Sequence, residues 1–366
     1  MKNKSPFLDI SLVIIFSIAA TFFFSYIAFV IIENQYPAFL KLWYTWDSHH
    51  YINIAKDWYT SSTLRERNLL IVFFPLYPLL IKAASFLFGS YLMSGLIVSN
   101  LAFAGAAVYI YKLAKLDYDE DDAWRALIYL AVFPTAYFLH AIYTESLFLF
   151  LTIASFYYAR RGNWALSGAF GLLASATRIT GIVLIPALIV EYLAQKNYKL
   201  REIRKDVLWI GLTVLGLLFY LGINYATFGD PFKFLEIQKE HWGKKLDWPF
   251  NGFSLTYYTM QSREPEHELL TGWFEIFFAA LGFALSIYAL LKVRISYGVF
   301  ALLSCVLMTS TWFWQSIPRY VLVIFPVFLS LSLLGRQRAV NFIIVFSSVF
   351  LYAILLLQLT RFRWAF

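Results

Sequence analysis

An all-α, polytopic membrane bundle is the fold class the sequence predicts. Three observations predict it: too little charge to wet a surface, apolar runs long enough to cross a bilayer, and basic clusters gathered between those runs. Of the 366 residues, 60% are hydrophobic and 14% charged, whereas a soluble chain carries about 25% charged residues to cover its exterior. Most of this exterior must therefore face lipid. The net charge of +8 sits in short clusters between apolar runs, which is the positive-inside pattern of membrane topology and not a nucleic-acid footprint. The one cysteine, Cys305, excludes an intrachain disulfide framework and a Cys-ligated zinc site.

The elements follow in order. Lys2 and Lys4 precede an apolar run over residues 8–32, longer than the ~7–15 residues of a signal-peptide core and long enough for a ~30 Å hydrocarbon layer. It reads as a retained first helix with a cytoplasmic N-terminus. Further apolar runs lie near 69–89, 91–111, 125–142, 146–159, 164–177, 180–194, 207–228, 273–291, 296–313, 319–335 and 339–360. If every run crosses, the clusters Lys112/Lys115, Arg160/Arg161, Lys196–Lys205, Lys292/Arg294 and Arg336/Arg338 all fall outside. If 69–89 does not cross, all fall inside, together with Lys2 and Lys4. That segment contains Pro75 and Pro78, whose broken backbone is tolerated at membrane depth only against protein or a polar cavity. About eleven crossings result, with 69–89 lying in or re-entering from the outer interface. Residues 1–366 form one domain, with external inserts at 33–90 and 229–272. The acidic run Asp119–Asp122 falls on the cytoplasmic side and reads as a solvated turn.

The densest polar cluster is Trp46-Asp47-Ser48-His49-His50-Tyr51. On a helix Asp47, His50, Tyr51 and Ile54 share one face by their i, i+3, i+4, i+7 spacing. A carboxylate beside an imidazole and aromatic walls suits a general base, with His50 orienting it or its substrate. The alternative is an interfacial amphipathic helix whose Trp and Tyr form an aromatic belt. Asp47, His49 and His50 are also metal-ligand types, but adjacent histidines on a helix point about 100° apart, so a divalent metal is not favoured.

Glu145 follows Tyr143-Thr144 at an outer edge, where an ionisable group is expensive unless paired or functional; a helix-N-terminal acid is the plainer reading. Arg178 interrupts the small-residue run Gly168–Thr177, which allows close helix packing, and it reaches the same face as Asp47. It could neutralise a phosphate or simply snorkel to the interface. Arg319, after Ser316-Ile317-Pro318, is a second candidate for an anionic head group. His241-Trp242 end an amphipathic stretch in the larger insert and form either a lid or a passive surface helix. No P-loop, GxGxxG, GxSxG or HExxH pattern occurs, which argues against nucleotide-driven, serine-hydrolase and zincin chemistry.

Four blocks in order resemble the glycosylphosphatidylinositol mannosyltransferase II family and its prokaryotic relatives, within the lipid-dependent C-type (GT-C) glycosyltransferases. They are Trp46 through Ala55, Phe73 through Leu79, Phe133-Pro134 through Phe148, and Thr177-Arg178-Ile179-Thr180-Gly181. The likeness spans about residues 40–195, with a looser echo at Ser316 through Tyr320. It implies a GT-C-type bundle with interfacial helices in the first external loop and a mannosyl donor carried on a polyprenyl phosphate. It also implies inversion from a β-linked donor to an α-mannoside on the non-cytoplasmic face. It puts Asp47 at the position of the base or substrate-orienting group. Because a phosphate already leaves well, charge stabilisation and positioning suffice, so no cofactor beyond the lipid-linked donor is expected and a divalent metal is the less favoured option. Trp46, His50, Tyr51, Tyr143, Glu145, Arg178, His241, Trp242 and Arg319 are the expected substrate-binding set.

The expected partners are that donor, a glycolipid or glycan acceptor and membrane lipids, with no nucleic acid. The expected location is the cell membrane in a prokaryote or the endoplasmic reticulum in a eukaryote. A transporter or lipid-linked-sugar flippase is the alternative, and a subunit of a glycan assembly complex is a third.

Overall fold

The length of an apolar run decides whether its helix can cross alone, and five helices here pass that test. They are Pro6–Ile31, Tyr91–Ala114, Lys205–Phe228, Pro265–Val293 and Arg338–Thr360. The computed structural model describes residues 6–31, 38–62, 65–361 and 363–366; Lys2, Lys4 and residues 33–37 of the first insert lie outside the described residues. Among these the chain is helical throughout, with a single isolated bridge between Leu246 and Thr311 as its only β feature. Shorter apolar helices, Leu76–Phe88, Trp164–Ser175, Ile179–Gln195 and Ile295–Thr309, are packed among the long ones.

The helix Glu145–Arg160 runs through the middle, with nearly every residue from Glu145 to Phe156 buried. It packs against Tyr91–Ala114, Trp164–Ser175 and Leu184–Gln195. Outward faces are apolar: Phe342, Phe346 and Phe350, spaced four apart, form an exposed stacked ladder on Arg338–Thr360. That is the surface a lipid solvent selects. Small residues let helices close up: a Cβ on Gly216 would stand 2.1 Å from the Leu172 carbonyl oxygen, so Leu212–Phe228 lies directly on Trp164–Ser175.

The ends of the bundle are marked by two charge clusters. At one end Arg160 bonds Asp117 and Tyr297, Arg294 bonds Glu191, and Arg336 bonds Asp122. These contacts tie together the turns after residues 114, 160, 195, 293 and 334. Asp47, Glu145, Arg178 and Arg319 gather at the other end. The Glu145–Arg160 helix has one terminus in each cluster. Alternation of the arms between these ends holds only if residues 38–90 stay at one end, as charge parity requires. Leu76–Phe88 has 13 residues, about 20 Å of helix, short of a bilayer core. Among the described residues five helices are long and apolar enough to cross alone, and Trp164–Ser175, at 12 residues, is no longer than Leu76–Phe88.

Three expectations need correction. The acidic run is not a solvated turn: Asp119 caps the helix Glu120–Val132, while Asp122 is fully buried between Arg125 and Arg336. A buried carboxylate requires such partners. The run 125–142 is helical only to Val132, because Phe133 precedes Pro134 and is pushed out of the helical region. The chain then turns through Ala136–Leu139 to Glu145, buried all the way. Likewise 319–335 is broken into Ile317–Leu322 and Pro326–Leu334, where Pro326 cannot continue a helix.

Candidate functional site

Asp47 occupies the N-cap of the helix Ser48–Asp57, but its side chain makes no capping bond. The carboxylate is thus free to face away from the helix. Trp46, immediately before it, has φ +52°, a left-handed conformation that costs a non-glycine residue roughly 1 kcal/mol or more. The strain swings the chain so that Trp46 and Asp47 both face a cavity of about 420 Å³.

Four charged side chains form a line beside this cavity. Asp47 Oδ2 lies 3.2 Å from Arg319 Nη1. Arg319 Nε lies 2.9 Å from Glu145 Oε1, and Arg178 Nη1 donates to that same oxygen at 2.7 Å. Arg178 also donates to the Thr144 hydroxyl at 3.0 Å. Glu145 is fully buried, and its Oε2 has no hydrogen-bond partner among the described residues. It does not line the cavity; it stands behind the two arginines and orients them. Arg319 packs over the rings of Phe138, Tyr143 and Tyr320.

Each arginine is held by local backbone. Arg178 is an extended residue between the helix Trp164–Ser175 and the turn Ile179–Val183. Gly181 lets this turn close: a Cβ there would meet Ser175 Cα at 2.5 Å. On the other side, the buried Glu275 carboxylate accepts from the Ser316 and Ile317 amides at 2.8 and 2.7 Å. That clamp sets the start of the short Arg319 helix.

Of the expected residues, Trp46, Asp47, Tyr51, Tyr143, Arg178, Trp242 and Arg319 line the cavity, whereas His50, Glu145 and His241 do not. Tyr51 packs edge-on against Phe73 and Tyr77. The His50 ring lies between Phe73 and His49. Burial, then the neighbouring His49, pushes the His50 imidazole down to about 4, with His241 acting in the same direction and Asp47 opposing. Near pH 7 it is therefore neutral and can only share a hydrogen bond. The two adjacent imidazoles do not diverge as helix geometry alone suggested; their ring centroids are 3.8 Å apart, because Ser48–His50 form the first turn beside Phe73. Among the described residues, no group of three or more His, Cys, Asp or Glu side chains gathers around a point.

Sequence reasoning missed several wall residues. Lys244 comes from the larger insert, its Nζ within reach of the Gln315 carbonyl and the Tyr320 hydroxyl. Tyr320 sits among three cations, Arg178, Arg319 and Lys244. Gln238, Gln315 and the segment Trp364–Phe366 complete the wall. Lys244-Lys245 did carry a signal, since a basic pair in an insert expected to face outward departs from the positive-inside pattern.

Residues 74–223, less than half of the chain, match the family described as dolichyl-phosphate-mannose-protein mannosyltransferase. No curated protein matches the chain by sequence. The structure is similar to that of ArnT from Cupriavidus metallidurans bound to undecaprenyl phosphate, with 14% identity and a TM-score of 0.56 over 92% of this chain and 64% of that one. The Archaeoglobus fulgidus oligosaccharyltransferase in its apo form aligns at 15% identity and a TM-score of 0.48, over 95% of this chain and 54% of that one. The present chain thus spans less than two thirds of the length of either structure. Its helical bundle, with short helices in the first loop and a broken-helix end around Asp47, is a GT-C-type membrane fold.

Proposed function

We propose that this protein is an inverting glycosyltransferase. It moves a mannosyl residue from a polyprenyl-phosphate donor to a glycolipid or glycan acceptor on the non-cytoplasmic face. The observation that carries this reading is one carboxylate, Asp47, sharing a cavity with three cations, Arg178, Arg319 and Lys244. The match of residues 74–223 to a dolichyl-phosphate-mannose-dependent family supports the donor class. The GT-C-type fold supports the reaction class.

The acceptor hydroxyl oxygen attacks the anomeric carbon from the face opposite the phosphate, and its proton passes to Asp47. The bond from the anomeric carbon to the phosphate oxygen breaks, leaving its electron pair on that oxygen. A β-linked donor so becomes an α-mannoside. The phosphate goes from a monoanionic diester to a dianionic monoester, gaining one negative charge. Arg178, Arg319 and Lys244, opposed by Asp47 and Glu145, leave one excess positive charge for the bound monoanion, and protonation of Asp47 raises it to two as the phosphate becomes a dianion. Preorganised charge of this kind is the largest lever an active site has, so the scheme uses no metal or other cofactor. Trp46, Tyr51, Tyr143 and Trp242 exclude water, while His50, with His241 beyond it, braces the Asp47 turn.

The test is transfer by purified protein in detergent, from polyprenyl-phosphate-mannose to host glycolipids, read by mass spectrometry. With no gradient present, a transporter would form no glycoside. Asp47→Asn should slow transfer by about 10²–10⁴-fold, the usual contribution of a general base. Undiminished transfer by that variant removes Asp47 from the mechanism.

A further inference from the structure

A second cavity, of about 580 Å³, adjoins the first and shares Trp46, Gln315 and Trp364 with it. Its size falls within the range of small-ligand sites. Its chemistry differs from that of its neighbour. In the first cavity three cations face an incoming anion. In the second, Arg363 is already paired with Glu266 at 3.0 Å, and Arg263 bonds the Thr271 hydroxyl. The rest of the lining is mainly aromatic, namely Trp46, Phe313, Trp314 and Trp364, together with Leu270, His267 and Gln315.

Flat rings flanked by hydrogen-bonding groups match one ligand chemistry well. The C–H face of a pyranose lies on an aromatic ring, while its hydroxyls take the polar rim. The dividing wall supports this reading. Trp46 and Trp364 meet edge-to-face at 5.9 Å and 87°, and Trp46 immediately precedes Asp47 in the chain. Asp47 lines the first cavity and not the second, so a sugar held against Trp46 reaches that carboxylate only past the edge of the shared wall.

We infer that this second cavity is the acceptor subsite and that it binds a neutral saccharide, the terminal sugar of the acceptor glycan. The assignment rests on the glycosyltransfer reading above and adds the class and place of the second substrate. Phe313 and His267 line only this cavity, so changing them separates acceptor binding from donor chemistry.

The experiment uses the full-length protein in detergent. The probes are methyl α-mannoside and short manno-oligosaccharides on one arm and a serine- and threonine-containing peptide on the other. Binding is followed by tryptophan fluorescence, since three tryptophans line the cavity. Saturable quenching by saccharide, not by peptide, is expected. Phe313→Ala, which removes a stacking ring, and His267→Trp, which fills the space, should each weaken it about tenfold, close to 1.4 kcal/mol. In transfer assays both should raise acceptor KM by a similar factor and leave donor KM unchanged.

Quenching by peptide alone, or an acceptor KM within twofold of wild type in both variants, overturns the assignment. If wild-type protein binds saccharide but transfers no mannose, the saccharide site stands, while its role as an acceptor subsite falls together with the glycosyltransfer reading.

Discussion

At one end of the Glu145–Arg160 helix, the buried carboxylate of Glu191 receives two bonds from Arg294, one from Ser296 and one from Gln195. Both of its oxygens are fully used. At the other end, Glu145 is equally buried but concentrates Arg178 and Arg319 on one oxygen and leaves the second without a partner. Beside Glu191 the residues close into a tie between turns. Beside Glu145 they open into a 420 Å³ cavity. The two clusters have similar composition, so composition alone does not distinguish structural charge from working charge. Saturation does: a network with every valence filled holds helices together, whereas one with donors aimed into a void is arranged for something that arrives later.

Substitutions at the two ends should separate these roles. Arg319→Met is expected to have the largest effect, lowering kcat by about 10²–10³-fold as the loss of a charge-stabilising donor does. It should also destabilise, since it strands Asp47 and half of the Glu145 contact. Glu191→Gln should reverse the ranking. Breaking a buried ion pair costs about 3–5 kcal/mol, read as a lower Tm in detergent, while kcat of the folded fraction stays near wild type. If both variants lose stability and activity in equal proportion, the contrast between the ends collapses.

Lys244→Met should be milder, about a tenfold loss carried mainly by donor KM, because Lys244 is a half-buried cation at the rim of the cavity. Its effect should shrink as salt is raised.

A further effect is one of pH. An unfolded histidine takes up a proton near pH 6.5, whereas folded His50 does so only near 4. As pH falls from 6.5 towards 4 the unfolded chain binds the proton first, so stability declines through that window and is level above it. Thermal melts between pH 7.5 and 4.5 should show this slope, and His50→Gln should make it shallower, leaving the part that His49, also lowered by burial, contributes.

Much of this arrangement is legible in the linear chain. Charges are costly in hydrocarbon, so each one isolated at the edge of an apolar run must sit at an end of the bundle. Asp47, Glu145, Arg178 and Arg319 all meet that condition, and parity of the basic clusters puts them on one side. Residues 69–89 betray themselves through Pro75 and Pro78. By contrast, the breaks at Phe133–Thr144 and Val323–Phe325 lie inside runs of uniform hydropathy, where only Pro134 and Pro326 mark them. Asp122 read as solvated because its partner, Arg336, lies more than two hundred residues away.

The sequence by itself therefore determined that this is a helical membrane protein and which ionisable groups gather at one end of the bundle. Those follow from the transfer cost of charge and from the helical repeat, both local properties. Only the tertiary structure decided that Glu145 stands behind the arginines and not in the cavity. It alone brought Lys244, Tyr320 and Trp364 to the wall and set a second, aromatic cavity against the first. Such choices depend on which distant segments pack together, and no local pattern encodes the partner of a buried charge.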